Sequence, residues 1–363
     1  MEADLILAMD AQRWLDLGLS KLEQQQYTEA GDMLTNAIQF DSTLIPAYEG
    51  LALVYIHQGK IDQALQQYQR LAELQPSPEI TIKRAGLLLL LEQPKQAEEL
   101  FKQVLDQDQT NSTAMKGLAD SYFKQNNFDY AIRTYDKLLD QTPEDAFLWY
   151  SKAETYYRAQ DHEAALEAIE HAIDLKQQPE FFAFKGDFYI RHDNFERALE
   201  QYRLAANLVP KDTEIRMRLG FIMRVLERPR DALAEFDQVL TVDPTYAEAR
   251  ENKIEIYEQM GKMEAARAET ERLIRLDPDR IDLATNLILY YIDHEGYERA
   301  AELLEILIDV HYENPQIWAL LANCMKELGQ KYQATQAITK AIQYGDEENM
   351  EQYRQLKFQI ENS

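Results

Sequence analysis

Residues 115–143 read MKGLADSYFKQNNFDYAIRTYDKLLDQTP. Met115, Leu118, Ala119 and Tyr122 fall three or four residues apart, which puts them on one side of a helix with 3.6 residues per turn. Ala131, Tyr135 and Leu138 make a second such stripe. Asn126-Asn127 breaks the pattern between the stripes, and Pro143 stops the second helix because proline cannot continue it. The stretch predicts a helical hairpin.

Working outward, the same hairpin recurs. Its central alanine returns as Ala30, Ala64, Ala97, Ala131, Ala165, Ala198, Ala232, Ala266, Ala300 and Ala334, spaced by 34 residues except for two spacings of 33. Counted from that alanine, the −16 place holds Trp14, Tyr48, Met115, Trp149, Phe182 and Trp318. The −13 place holds Leu17, Leu51, Leu118, Leu219, Leu287 and Leu321. At −12 a small residue dominates (Gly18, Ala52, Ala85, Ala119, Ala153, Gly186, Gly220, Ala322), so that two helices can approach closely. Tyrosine is common at −9, Tyr or Phe at +4, and proline at +12 in five units (Pro76, Pro143, Pro210, Pro244, Pro278). Breaks such as Gln58-Gly59 and Met260-Gly261 mark the turns inside hairpins. A period of this length means an array in which each unit buries its apolar face against its neighbours.

The order Trp, Leu-Gly/Ala, Tyr, Ala, aromatic, Pro resembles the tetratricopeptide repeat over residues 11–346, about ten units in phase. The resemblance implies an all-α fold, a right-handed superhelical solenoid of hairpins with a concave face lined mainly by the first helices. Departures stand at definite places. Arg216 and Arg250 replace the bulky −16 residue, Lys152, Lys185 and Lys253 replace the −13 leucine, and Ile254 and Ile288 replace the small −12 residue. The third unit carries Thr81, Arg84 and Pro94. Beyond the array, Asp346 is expected to cap a terminal helix over 347–363 whose apolar side is Met350, Tyr353, Leu356 and Ile360. Residues 1–10, with Leu5 and Met9, are expected to extend the first helix backward.

Composition agrees with helices and limits the chemistry. Twelve Gly and eleven Pro in 363 residues are too few for an all-β protein of many tight turns. The net charge of −26, from 64 acidic and 38 basic residues, is spread along the chain and repels phosphate backbones and anionic lipid. Nucleic acid and membrane insertion are therefore not expected. The acidic start, Glu2 and Asp4, does not suit a signal peptide, no apolar run approaches the ~18 residues of a spanning helix, and the expected location is cytoplasmic. A single cysteine, Cys324, excludes an intramolecular disulfide.

No constellation for catalysis stands out. His162-Glu163 has Leu166 where a zinc protease needs its second histidine. Asp106-x-Asp108 has Asn111 and Gly117 where a calcium loop needs glycine and glutamate. The chain is expected to be no enzyme and to need no cofactor or metal.

Places −15, −11 and −8 lie about a quarter-turn from the hairpin core, and in the family that side lines the groove. Candidate groove residues follow. Leu15, Leu19, Leu22, Leu53 and Ile56, continued by Ile82 and Leu89, form an apolar strip. Lys116, Asp120, Phe123, Lys124, Tyr150, Glu154, Tyr157, Arg158, Asp187, Arg191, Phe221 and Arg224 follow as an aromatic and charged stretch, before Glu251, Glu255 and Glu258 turn it acidic. Asp120, Glu154 and Asp187 each precede a base by four residues, which suits either three helical ion pairs or donors and acceptors for a bound peptide. The Lys-x-x-x-Asn clamp by which some family members hold a chaperone's terminal carboxylate is missing. The expected function is a protein-binding adaptor. A self-assembling scaffold and a regulatory or targeting subunit of an enzyme or envelope-assembly complex are the alternatives.

Overall fold

The computed structural model describes residues 2–362, with side chains from Asp10 onward. Among the described residues there are twenty-one helices and no strand. Through residue 181 one compact unit holds α1 (Glu2–Glu23), α2 (Tyr27–Phe40), α3 (Ile45–His57), α4 (Ile61–Leu74), α5 (Pro78–Leu90), α6 (Pro94–Gln107), α7 (Ser112–Lys124), α8 (Phe128–Gln141), α9 (Ala146–Arg158) and α10 (His162–Leu175). The boundary with a second unit falls between Phe181 and Phe182, inside α11 (Pro179–Arg191). The second unit continues with α12 (Phe195–Leu208), α13 (Thr213–Val225), α14 (Pro229–Val242), α15 (Ala247–Gln259) and α16 (Met263–Leu276). It ends with α17 (Ile281–Asp293), α18 (Tyr297–Val310), α19 (Pro315–Glu327), α20 (Lys331–Tyr344) and α21 (Met350–Asn362). Within each unit the helices stack as antiparallel pairs against their chain neighbours, an α-solenoid. The ten anchor alanines lie at the tight centres of those pairs.

Local chemistry starts and stops these helices. Ser77, Asn111, Asp145, Asp212 and Asn314 cap first helices with side-chain oxygens that accept backbone N–H groups of the first turn. Every turn inside a hairpin has the same form. The residue at −5 takes positive φ, and the N–H at −4 donates to the carbonyl at −9, as from Lys60 to Tyr55 and from Asn127 to Tyr122. Only Gly59, Gly261 and Gly329 are the residue type that φ prefers. Gln25, Glu92, Asn126, Gln160, Asp193, Glu227 and Glu295 are held there although left-handed backbone costs a side-chain-bearing residue about 1–2 kcal/mol.

The departures from the repeat find physical accounts. At −16 the tip of the side chain reaches back six residues to a carbonyl in the turn between hairpins. Tyr48 donates to Ser42 at 3.1 Å, Trp149 to Pro143 at 3.0 Å and Trp318 to Tyr312 at 2.7 Å. Arg216 and Arg250 do the same to Pro210 (2.9 Å) and Pro244 (2.7 Å), so a long guanidinium substitutes for an indole. At −13, Lys152 and Lys253 extend to Asp136 (2.6 Å) and Asp237 (2.7 Å) on the preceding second helix. Close approach at −12 is real: a Cβ on Gly220 would stand 2.5 Å from the Phe236 ring. Ile288 at that place is nevertheless fully buried in the cluster that α17 shares with α18.

At the two ends the backbone refines the expectations. α1 begins at Glu2, while the side chains of Leu5 and Met9 lie outside the described residues. The last helix starts at Met350, not at 347, because the Asp346 carboxylate accepts the Asn349 N–H at 3.2 Å and closes a turn first. Tyr353 and Ile360 are buried and Leu356 half-buried against the α19–α20 cluster.

Candidate functional site

The apolar strip is largely consumed by the core, which corrects the expectation of an open row of anchors. Leu15 is buried with Ala30, Leu34, Ala47, Leu51 and Val54, and Leu19 and Leu22 pack on the same cluster. Ile56 lies half-buried against the cluster around Tyr48 and Ala64, and Ile82 and Leu89 against that around Ala97 and Phe101. Leu53 alone of this strip is exposed, at 42 %. The cause is contact between successive first helices: α1 touches α3 directly, so its −15, −11 and −8 side is covered. Conversely Leu17, at the expected core place −13, is 41 % exposed.

Two carboxylates of the charged series bond across their own hairpins. Asp120 accepts a hydrogen bond from the Tyr135 hydroxyl at 2.6 Å, and Asp187 accepts one from Tyr202 at 2.6 Å. In both hairpins the −11 carboxylate meets the +4 tyrosine of the second helix. The signal was present in the sequence as a Tyr, not a Phe, at +4 opposite an acid at −11. Burial raises the Asp120 carboxyl above the usual aspartate range, although the Tyr135 hydroxyl, Lys116 and Lys124 pull it down. Glu154 is likewise raised by burial, against a hydrogen bond from Tyr150 and the charge of Arg158.

The bases reach to other hairpins. Lys124 pairs with Glu92 at 2.8 Å, and Arg158 donates to Asn126 at 3.1 Å while its guanidinium lies 5.4 Å from the Phe123 ring centre. Glu92 and Asn126 are the positive-φ residues of the preceding hairpins, so these contacts tie one first helix to the turn before it. Tyr150 stacks on Phe181 with ring centres 5.1 Å apart, and Tyr157 lies 5.6 Å from the His162 ring. Lys116 is exposed on α7, and Asp187 and Arg191 lie on α11.

In the second unit the inner side opens into a cleft of about 500 Å³ between α13 and α15. Met217 and Phe221 of α13 and Tyr246 at the start of α15 supply its apolar surface. Around them stand Glu214, Arg218, Glu248, Glu251, Asn252 and Glu255. Arg224 crosses the cleft to pair with Glu255 and covers the Phe221 ring at 5.9 Å. Glu251 is held by Arg280, which also pairs with Asp277 at 2.9 Å.

Between α15 and α16 lies a buried charge cluster that local spacing does not reveal. Glu269 of α16, 3 % exposed, accepts from Lys253 at 2.8 Å, Arg250 at 2.9 Å and Arg272 at 2.6 Å. The two replaced repeat places, −16 and −13 of one unit, share one carboxylate.

The arrangement offers shape, aromatic surface and paired charges. Burial pushes the Cys324 thiol up to about 11, so it stays protonated and unreactive. Among the described residues no three His, Cys, Asp or Glu side chains gather in metal-binding reach, and no helix is long and apolar enough to cross a membrane.

Tetratricopeptide-repeat profiles match residues 21–85, 88–154 and 226–287, and further ones match 148–179 and 285–347. The chain belongs to the tetratricopeptide-repeat family. Among curated relatives, this tetratricopeptide-repeat chain is 26 % identical over 203 residues to the human protein O-mannosyl-transferase TMTC1, covering 56 % of the chain and 20 % of that protein. It is 25 % identical over 314 residues to a DnaJ homolog subfamily C member 7 homolog of Schizosaccharomyces pombe, covering 76 % of the chain and 66 % of the relative. The chain thus spans from 20 % to 66 % of the length of these two relatives. A crystal structure of a tetratricopeptide repeat protein from Parabacteroides merdae superposes with a TM-score of 0.50 at 22 % identity, over 59 % of this chain and 85 % of the other, which shows the shared fold.

Proposed function

We propose that the chain is a non-enzymatic adaptor, located in the cytoplasm, that binds an extended segment of another protein on the inner side of its first helices. The observation that carries this reading is the α13–α15 cleft, where Met217, Phe221 and Tyr246 offer apolar surface between paired charges. A volume of about 500 Å³ suits one or two side chains of a bound segment. Arg224 and Glu251 already have protein partners, so shape and apolar contact set the affinity, and binding falls only modestly with salt. The buried leucines of α1 remove the first hairpin as an anchor and leave the α13–α15 cleft of the second unit as the contact surface.

The test places a photo-crosslinking amino acid at Asn252 in the cleft and, as control, at exposed Glu200 on α12. A partner polypeptide should crosslink from 252 and not from 200, and Phe221→Ala should weaken its binding about tenfold or more, as loss of an interface anchor does. Equal crosslinking from both places, with Phe221→Ala binding as well as the unaltered chain, would reject the inner-side reading.

A further inference from the structure

The α13–α15 cleft carries an imbalance of charge that its own ion pairs leave open. Glu255 is paired with Arg224, and Glu251 with Arg280. Two further carboxylates line the same space, Glu214 in the first turn of α13 and Glu248 in the first turn of α15. Both are exposed, and among the described residues neither has a cation within ion-pair reach. A carboxylate in a first turn favours the helix macrodipole, which accounts for one acid on each helix. It does not account for both acting on one tyrosine.

That tyrosine is Tyr246, at the start of α15. Burial, and then the charges of Glu248, Glu214 and Asp243, raise its hydroxyl above the usual tyrosine range. All three charges are negative, and no cation offsets them. Asp243 is occupied, accepting the N–H of Thr245 at 2.8 Å and its hydroxyl at 2.6 Å. Arg218 also lines the cleft, but its charge acts on Tyr202 of the preceding hairpin, whose hydroxyl burial and Asp187 raise and Arg218 lowers. The Tyr246 end of the cleft therefore joins negative potential to an apolar floor of Met217 and Phe221. A phosphate or carboxylate is repelled there, and an aliphatic side chain leaves both acids without a counter-charge. A side chain with an apolar stem and a cationic head suits both surfaces. Of the two such residues, arginine has the planar head that stacks on an aromatic face and donates to two carboxylates at once.

We propose that the Tyr246 end of this cleft receives an arginine side chain of the bound segment, its methylenes on Met217 and Phe221 and its guanidinium over the Tyr246 ring between Glu214 and Glu248. The partner is thus a segment in which a basic residue stands among apolar ones. This rests on the adaptor reading of the inner side and adds the residue that the cleft selects. The two carboxylates face solvent, so the contact sets selectivity more than total affinity, in keeping with a modest salt dependence for the whole interface.

The probe is the peptide acetyl-Ala-Leu-Arg-Leu-Ala-amide, compared with a copy carrying citrulline, which keeps the shape of arginine without its charge. Each is titrated into the full chain labelled with ¹³C at the methionine methyls. The arginine peptide should move the Met217 methyl saturably and bind about fivefold or more tightly than the citrulline peptide, the scale of two solvent-facing ion pairs with a cation–π contact. In the double variant Glu214→Gln/Glu248→Gln that advantage should vanish, while the helical signal and the affinity for the citrulline peptide stay unchanged. Raising the ionic strength should shrink the advantage as well. Equal affinity of the two peptides for the unaltered chain, or an advantage that survives in the double variant, would overturn the proposal. If the two bind alike and Phe221→Ala weakens both, the cleft binds segments without selecting arginine, and the adaptor reading stands alone. If neither moves the Met217 methyl, the arginine proposal is overturned, and crosslinking from Asn252 decides the adaptor reading separately.

Discussion

Glu269 is the carboxylate on which three cations converge, so its removal should be far costlier than removal of any one of them. Lys253 is only 6 % exposed, and without Glu269 it keeps the single partner Asp237 at 2.7 Å. Arg250 would keep its contact to the Pro244 carbonyl, with its Nε already unpartnered in the interior. Breaking a buried ion pair from one side typically costs about 3–5 kcal/mol, and Asp237 tempers the loss at Lys253, so Glu269→Leu should lose about 3 kcal/mol. Lys253→Leu restores the residue type usual at −13 and leaves Glu269 with Arg250 and Arg272, so it should lie within about 1 kcal/mol of the unaltered chain. The double variant should be more stable than the sum of the single effects by about 1–2 kcal/mol, because no buried lysine is stranded. Urea unfolding followed by circular dichroism measures the total. Amide hydrogen exchange in α14–α16 localises it, since an array whose units touch only neighbours need not unfold in one step. Equal losses in the two single variants, or additivity within about 0.5 kcal/mol, would refute the account of Glu269 as the shared hub.

The same carboxylate sets a pH dependence. Burial raises the Glu269 pKa, but Lys253, Arg272 and Arg250 more than offset that and hold it below the usual value, so its contribution is present above about pH 4 and is lost as pH falls through the folded pKa. Asp120 behaves oppositely: with a raised pKa its contribution is lost as pH rises, so Asp120→Asn, which still accepts from Tyr135, should melt higher than the unaltered chain at pH 7 and equally near pH 4; a lower melting temperature at pH 7 would contradict this. Gln160→Gly and Glu227→Gly should each add about 0.5–1 kcal/mol by relieving positive φ, read as a higher urea midpoint at unchanged slope. Deleting residues 347–363 should uncover Ile338 and Ala341, seen as mass growth in light scattering and early loss of α19–α20 protection; a monodisperse, unchanged truncation would show that α21 is not a cap.

The 34-residue recurrence of the alanine, with small residues at −12 and prolines at +12, was enough to place the hairpins and their order, because periodicity reports directly which side of a helix is apolar. It was not enough to say what covers that side. Leu15 and Leu53 occupy the inner flank of neighbouring first helices, yet one is core and the other open, and only the contact of α1 with α3 separates them. Asp120 looked like the partner of Lys124 because helical spacing is a local rule. In the folded chain Asp120 meets Tyr135 fifteen residues away, and Lys124 meets Glu92 thirty-two away. Likewise glycine marked only three of the ten turns, whereas packing of the flanking helices imposes the same positive φ on all ten. The sequence by itself determined the repeat, the helix pairs and their order. Tertiary packing decided which polar and apolar side chains remain available to a partner, because contacts between residues tens of positions apart depend on how whole helices meet.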